Sequence, residues 1–197
     1  MKRDLEVLLS MLACPVTGDD SFSLEGDEEN GLLTTGAGTV YPIIDGIPRM
    51  LPPDLLGPFL RSAYPETLSN WPKLAAAVLD TPDPEPEILA TLSAYSYQHV
   101  DMADEDLLRE DWASTWTRFQ PDIEPRDFAG KRVLEIGSGE GRHAYLVGEH
   151  ASLLVGLDLS RGVELARQRD TNPNSFYVQG DLRRPPFRHG AFDALYS

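Results

Sequence analysis

Only one cysteine, Cys14, stands in the 197-residue chain. No internal disulfide can form, and no Cys-rich metal site can be assembled from this chain alone. That scarcity fits a reducing compartment, so a cytoplasmic location is expected. Long apolar runs are missing too. The longest candidates, residues 153–157 and 75–79, fall far short of the roughly 20 residues that a membrane helix needs, and no membrane partner is expected. Basic side chains are scarce, with 17 Lys and Arg against 32 Asp and Glu. The shortage is uneven: residues 1–130 carry 24 acidic and 8 basic side chains, net −16, whereas residues 131–197 carry 8 and 9, net +1. An acidic first part repels a phosphate backbone and argues against a nucleic-acid partner. The one basic cluster, Arg183, Arg184 and Arg188, reads as solvated loop charge. What the chain does have is 41% hydrophobic and 9% aromatic residues, enough to bury a core.

Proline and glycine divide the chain into three stretches: a small β-containing module over 1–53, a mainly helical connector over 54–129, and the start of an alternating β/α domain over 130–197. At the N-terminus, Lys2 and Arg3 before an apolar stretch loosely mimic a lipoprotein signal, but Asp4 and Glu6 interrupt it. Leu5, Leu8, Leu9 and Leu12 instead take the i, i+3, i+4, i+7 spacing of an amphipathic helix. Further on, Asp45-Gly46 between apolar flanks predicts a tight hairpin turn, with Pro42 and Pro48 keeping its strands short or at an edge. Leu12-Ala-Cys-Pro-Val-Thr17 followed by Tyr41-Pro-Ile-Ile-Asp-Gly-Ile-Pro48 resembles the small zinc-ribbon domains that act as activating partners of methyltransferases. The resemblance covers about the first 52 residues and departs at the metal. Tetrahedral zinc takes four soft ligands, and this chain sets Thr17 opposite Cys14 and Thr34-Thr35 near the second knuckle. A module folded without metal is expected, held by the packing of Leu12, Tyr41, Ile43 and Ile47, with Cys14 as a small buried hydrophobe.

In the connector, the alternating prolines of residues 81–87 predict a stiff extended linker, and residues 89–97 and 105–119 predict helices. Leu108, Trp112 and Trp116 share one helix face at i, i+4 spacing. That stripe reads first as core; the sharper reading makes Trp112, Trp116 and Phe119 a lid over the next domain's pocket.

From residue 130 on, apolar segments at 132–136, 152–157, 176–179 and 192–196 predict buried strands, with helices at 140–149 and 161–170 between the first three. The order implies an α/β, Rossmann-like, doubly wound parallel sheet, incomplete as the chain stands, whose ligands bind at the carboxyl ends of the strands. The first strand runs into Glu135-Ile-Gly-Ser-Gly-Glu-Gly-Arg142, where alternate glycines let the backbone turn sharply beside a ligand. A dinucleotide fingerprint would need glycine where Arg142 stands, and Glu140 at the helix start disfavours a pyrophosphate. An NAD-binding oxidoreductase is therefore the runner-up. Asp158 ends the second strand, placed to accept both ribose hydroxyls; Asp181 follows the third, placed to face an adenine amino group; Asp193 opens the fourth. Such an acidic rim attracts a ligand bearing a sulfonium and an ammonium.

Together these segments resemble the class I S-adenosylmethionine-dependent methyltransferases, and within them the quinone-biosynthesis-like subgroup. The resemblance rests on residues 133–143, Val155-Gly-Leu-Asp-Leu-Ser160, Val178-Gln-Gly-Asp-Leu182, Pro186-Phe187 and residues 191–197. It implies S-adenosyl-L-methionine as cofactor, with no metal. It places Glu135, Gly137 and Ser138 near the methionine moiety, lets Gly139 and Gly141 shape the loop, and sets Asp158 and Leu159 on ribose, Asp181 and Leu182 on adenine, and Ser197 at the end of the fourth strand. The acceptor it implies is a small molecule. No general base can be nominated, and His143 reads as structural. Methyltransferases of this class continue past the fourth strand, so a longer reading frame is expected, and the exposed fourth strand is expected to recruit a second copy of the chain. A non-catalytic binding or activator module for a separate methyltransferase is the alternative from another class.

Overall fold

The computed structural model describes residues 5–79, 81, 84, 86–96 and 112–197. The chain opens with a short helix, α1 (Leu5–Leu9), and a four-stranded antiparallel sheet in the order β1 (Phe22–Gly26), β2 (Gly31–Thr35), β3 (Val40–Ile44), β4 (Ile47–Pro48). β3 turns into β4 through Asp45-Gly46, with Ile44 opposite Ile47. Both turn residues have positive φ, 52° and 69°, the left-handed pair that a two-residue hairpin matching the strand twist requires. Three helices follow, α2 (Pro53–Ala63), α3 (Pro65–Asn70) and α4 (Pro72–Val78). Each starts on a proline, whose missing N–H is no loss at the first helical position and whose φ is already set for a helix. α5 (Pro86–Ser96) and α6 (Trp112–Phe119) come next. The expected stiff linker falls partly, and Leu108 entirely, outside the described residues.

The second sheet is all parallel, in the order β7 (Ser175–Gln179), β6 (Leu153–Asp158), β5 (Arg132–Ile136), β8 (Ala194–Tyr196). Helices α7 (Arg142–Gly148) and α8 (Gly162–Arg169) make the two crossovers. This is the α/β parallel sheet expected from the alternation of apolar runs. All of β7, and β6 up to Asp158, are buried, as a strand covered on both faces must be.

Alternation along the strands explains how. Val133, Leu154 and Tyr177 share a core with Ala144 and Val147 of α7 and Val163 and Ala166 of α8. Their neighbours Leu134, Val155, Phe176 and Val178 share a different core with Leu5, Leu8, Leu12, Leu33, Tyr41, Ile43, Leu55 and Leu60. The second face is thus covered by the N-terminal module and α2, not by a further crossover helix. Each side chain taken fully out of water there contributes about 1.5–3 kcal/mol. The module also extends the sheet laterally: Arg49 bridges Gln179 at the β7 edge in parallel, and the Met50 amide donates to the Gln179 carbonyl at 2.7 Å.

The tryptophan stripe takes its first reading, core, and not that of a lid. Trp112 meets Tyr145 edge-on, and Trp116 meets Phe128, His143 and Tyr196, so both tryptophans are core. Phe119 alone of the three lines a cavity. The basic cluster is largely exposed, as expected of loop charge, and each of its arginines also has an acidic partner. Arg183 binds Asp181, Arg184 reaches Asp54 of α2 at 3.4 Å, and Arg188 reaches Asp20 at 3.3 Å. Two of the three arginines therefore face the acidic first part of the chain, Arg184 at α2 and Arg188 at the N-terminal module. No described helix is long and apolar enough to cross a membrane.

Candidate active site

The carboxyl ends of β5, β6 and β7 open on one side of the sheet, and two adjoining cavities lie there. The larger, about 480 Å³, is lined by Gly137, Asp158, Leu159, Asp181 and Leu182, with Ile136, Leu157, Ser160, Gly180, Arg183, and Thr91 and Tyr95 of α5. The smaller, about 340 Å³, is lined by Glu135, Gly137, Ser138, Gly139 and Ser197, with Glu140, Arg142, His143, and Thr115, Phe119 and Gln120. Gly137 belongs to both. Among the residues that the resemblance assigns to the cofactor, only Gly141 lines neither; Asp193, expected in the acidic rim, lines neither and instead binds Arg132 at the start of β5. A Cβ on Gly141 would meet Ala166 Cβ at 2.8 Å, so its task is the close approach of α7 to α8.

The glycine turn is tied to the second strand. The Gly137 and Ser138 amides donate to the Leu157 carbonyl at 2.8 and 3.1 Å, and the Gly139 amide donates to Asp158 Oδ2 at 2.8 Å. Asp158 Oδ1 accepts from the Ser160 amide and hydroxyl, both at 2.7 Å. The carboxylate is held from behind by the protein. A carboxylate has about four acceptor sites, and with three taken one position, on Oδ2, remains for a hydroxyl.

Asp181 is 3% exposed and gripped by Arg183, whose Nε and Nη2 donate to its two oxygens at 3.0 and 2.7 Å, while the Arg183 amide donates to Oδ1 at 2.9 Å. Burial works against its charge, but the Arg183 hydrogen bonds win and hold the carboxyl below its ordinary range. Asp181 is therefore an anion at neutral pH, able to accept but not to donate.

Glu135 is the opposite case. It is 4% exposed, and its Oε2 has no hydrogen-bond partner among the described residues. Burial pushes its carboxyl well above the ordinary range, and the nearby Asp158 charge adds to the rise. The Ala144 amide and the Arg142 charge pull the other way without winning; a buried carboxyl with no ion pair is costly to ionise, so this site favours a ligand that brings a closer cation. Glu140 has its cation already, with Arg169 Nη1 at 2.8 Å and Arg142 Nε more loosely at 3.9 Å. His143 stands edge-on to Trp116; burial and the Arg142 charge push its pKa down, and its Nε2 is buried without a partner among the described residues.

Thr91, Tyr95, Gln120 and Arg183 were not identified from the sequence. The helical pattern of residues 89–97 was visible, but nothing in its spacing tied it to strands beginning 40 residues later. Arg183 carried a signal, standing two residues after a strand-end aspartate, that was assigned to solvent instead.

The zinc question can be put to the donor set. Cys14 Sγ lies 3.1 Å from the Tyr41 hydroxyl and 3.4 Å from the Thr17 amide, which donates to it. Thr34 and Thr35 sit in β2. Among the described residues no three His, Cys, Asp or Glu side chains group closely enough to hold a metal ion. A single thiol among hydroxyls does not fit tetrahedral zinc.

Residues 134–197 match the family described as a methyltransferase domain. A fatty-acid O-methyltransferase of Mycolicibacterium smegmatis is 39% identical over 72 residues, which are 35% of this chain and 26% of that protein. A UPF0434 protein of Maricaulis maris is 48% identical over 52 residues, 25% of this chain and 78% of that protein. Among solved structures, phosphoethanolamine N-methyltransferase 1 of Haemonchus contortus, in complex with phosphoethanolamine and S-adenosylhomocysteine, aligns with TM-score 0.39 at 20% identity over 48% of this chain and 22% of that one. The matched segment takes in most of β5, the glycine turn and β6 to β8, so this part of the chain is similar to methyltransferase domains. Through the 52-residue match, which takes in 78% of its relative, the chain belongs to the UPF0434 family. It spans only 26% of the length of the fatty-acid O-methyltransferase.

Proposed function

We propose that this protein transfers a methyl group from S-adenosyl-L-methionine to a small-molecule acceptor, as in the quinone-biosynthesis-like subgroup that its motifs resemble. The observation that carries the reading is the convergence of Glu135, Asp158 and Asp181, from the ends of three adjacent strands, on two cavities joined at Gly137. In this reading the larger cavity takes the nucleoside, with Asp158 accepting from a ribose hydroxyl and Asp181 from the adenine amino group. The smaller takes the methionine end, where the ammonium supplies Glu135 with a closer cation. When bound, the cofactor supplies an electrophilic methyl group on a sulfonium. The chain's own contribution is to hold, orient and desolvate: α5 shields the nucleoside, and the glycine turn admits close approach without a Cβ. Orientation of this kind accounts for much of the rate of such a displacement.

The N-terminal module, in the same proposal, is a metal-free relative of zinc-ribbon activators, fused to the domain it serves in the cytoplasm. The same proposal takes a second copy of the chain at the outer edge of β8, a reading supported by the 65% exposure of Leu195. Light scattering is expected to show a dimer, and a monomer at all concentrations contradicts that part.

The binding test is calorimetry on the purified chain. S-adenosylhomocysteine is expected to bind, NAD is not, and Asp158→Ala is expected to weaken S-adenosylhomocysteine by about tenfold or more, the scale of a lost charged hydrogen bond. Tighter binding of NAD, or an unchanged affinity in Asp158→Ala, overturns the assignment.

A further inference from the structure

Arg49 is the largest side chain fully buried in the molecule's described part, at 0% exposure. It follows β4 and lies at the junction between the N-terminal module and the β7 edge. Its Nη1 donates to Gln179 Oε1 at 3.1 Å and pairs with Glu164 Oε1 of α8 at 3.1 Å. Nη2 reaches the Tyr64 hydroxyl at 3.4 Å, and the guanidinium lies over the Tyr64 ring at 5.3 Å. Its Nε has no partner among the described residues.

A stability role alone does not account for a charge placed there. Buried ion pairs are often replaced by apolar groups with no loss of stability. Glu164 would not be stranded without Arg49: the Tyr64 hydroxyl donates to it at 2.7 Å and Arg161 binds it through Nε and Nη2. What only a donor at this position can do is orient Gln179. A glutamine amide has one accepting oxygen and one donating nitrogen. A guanidinium, which can only donate, forces Oε1 toward itself and thereby aims Nε2 the other way. There Gln179 Nε2 donates to the Leu159 carbonyl at 2.9 Å. Leu159 lies between Asp158 and Ser160 in the wall of the larger cavity. With the amide reversed, donor would meet donor at one end and acceptor would meet acceptor at the other.

We propose that Arg49 is a positioning residue for the nucleoside end of the cofactor site, acting across the module boundary through the Gln179 amide on the Leu159 carbonyl. This rests on the methyltransferase reading above. The relay makes the shape of the cleft wall depend on the docked N-terminal module, and it gives the module a defined route into binding beyond covering apolar surface.

The discriminating variant is Gln179→Glu in the full chain. A carboxylate pairs better with Arg49 but sets an acceptor against the Leu159 carbonyl. The melting temperature is therefore expected to hold or rise, while S-adenosylhomocysteine and adenosine both weaken by the same factor, about tenfold. Equal factors are expected because the relay touches only the nucleoside end. Arg49→Met and Gln179→Leu are each expected to weaken both ligands, and the double variant no further than either alone, as members of one chain of contacts should. Arg49→Lys, which keeps a donor, is expected to recover part of the loss. If Gln179→Glu binds both ligands as the unaltered chain does, or if the Arg49→Met and Gln179→Leu losses multiply, the relay is wrong. If the unaltered chain binds neither ligand, the methyltransferase reading fails first and takes the relay with it.

Discussion

Glu135 and Asp158 are neighbouring carboxyl groups in contrasting surroundings. Asp158 accepts three hydrogen bonds from Gly139 and Ser160. Glu135 is buried, with Oε2 unmatched among the described residues, and its pKa is raised first by burial and then by Asp158. Its folded pKa lies above the unfolded value, so the folded protein holds the extra proton, and stability falls as pH rises from the ordinary carboxylate range toward the folded pKa. Glu135→Gln removes the cost. It is expected to stabilise the ligand-free protein by about 1 kcal/mol and flatten that part of the pH dependence, while weakening S-adenosylhomocysteine. Since a bound ammonium favours the ionised form, affinity in the unaltered protein is expected to tighten as pH rises through the raised pKa, and the variant to lose this slope. Thermal melts and calorimetry across pH 4–8 read both; a variant that binds as well and melts lower contradicts the assignment of Glu135.

At the scale of elements, the glycine turn works because a neighbouring helix leaves it room. A Cβ on Gly162, the first residue of α8, would stand 2.7 Å from the Gly139 carbonyl carbon and 2.8 Å from its oxygen. Those are backbone atoms with no rotamer to yield. Gly162→Ala is expected to push the turn toward the cleft, cost about 1–3 kcal/mol as overpacking does, and reduce S-adenosylhomocysteine affinity more than a surface change of equal stability cost. An alanine variant with unchanged binding would show that the turn has slack that the structure does not display. The four parallel strands were legible from their apolar runs, and the turn from alternate glycines, because a strand covered on both faces must be apolar throughout. The part played by Gly162 was not legible: a glycine opening a helix carries no local mark of the loop packed against it.

Taken whole, the molecule has no division of its hydrophobic interior at the end of the N-terminal module. Leu8, Leu33, Tyr41 and Leu55 share one core with Leu134, Val155 and Phe176, and Arg184 and Arg188 pair across the same boundary with Asp54 and Asp20. Exposed pairs of that kind contribute little each; the shared core dominates. The chain is therefore expected to unfold in one cooperative transition, with calorimetric and van't Hoff enthalpies equal and the near- and far-ultraviolet signals coincident. Two resolved transitions would show that the module and the sheet are separate folding units. Low pH tests the periphery. The Arg132 hydrogen bonds hold Asp193 down to about 2, so the contribution of this exposed pair is present above the ordinary carboxylate range and is lost only as pH falls through about 2.

By itself the sequence determined the identity of the strands, the tight hairpin at Asp45-Gly46, the glycine turn and the strand-end carboxylates, because each is local. Apolar periodicity, positive φ and one β/α unit of spacing are properties of neighbours along the chain. Only the tertiary structure decided what covers the second face of the sheet, that Trp112 and Trp116 are core, that α5 walls the larger cavity, and that Arg183 grips Asp181. It also decided that Arg49 meets Gln179, 130 residues away in sequence. These pairings join segments whose composition is compatible with many partners, and the choice among them is made by shape and by the need of buried polar groups for donors and acceptors, which exists only once the chain is packed.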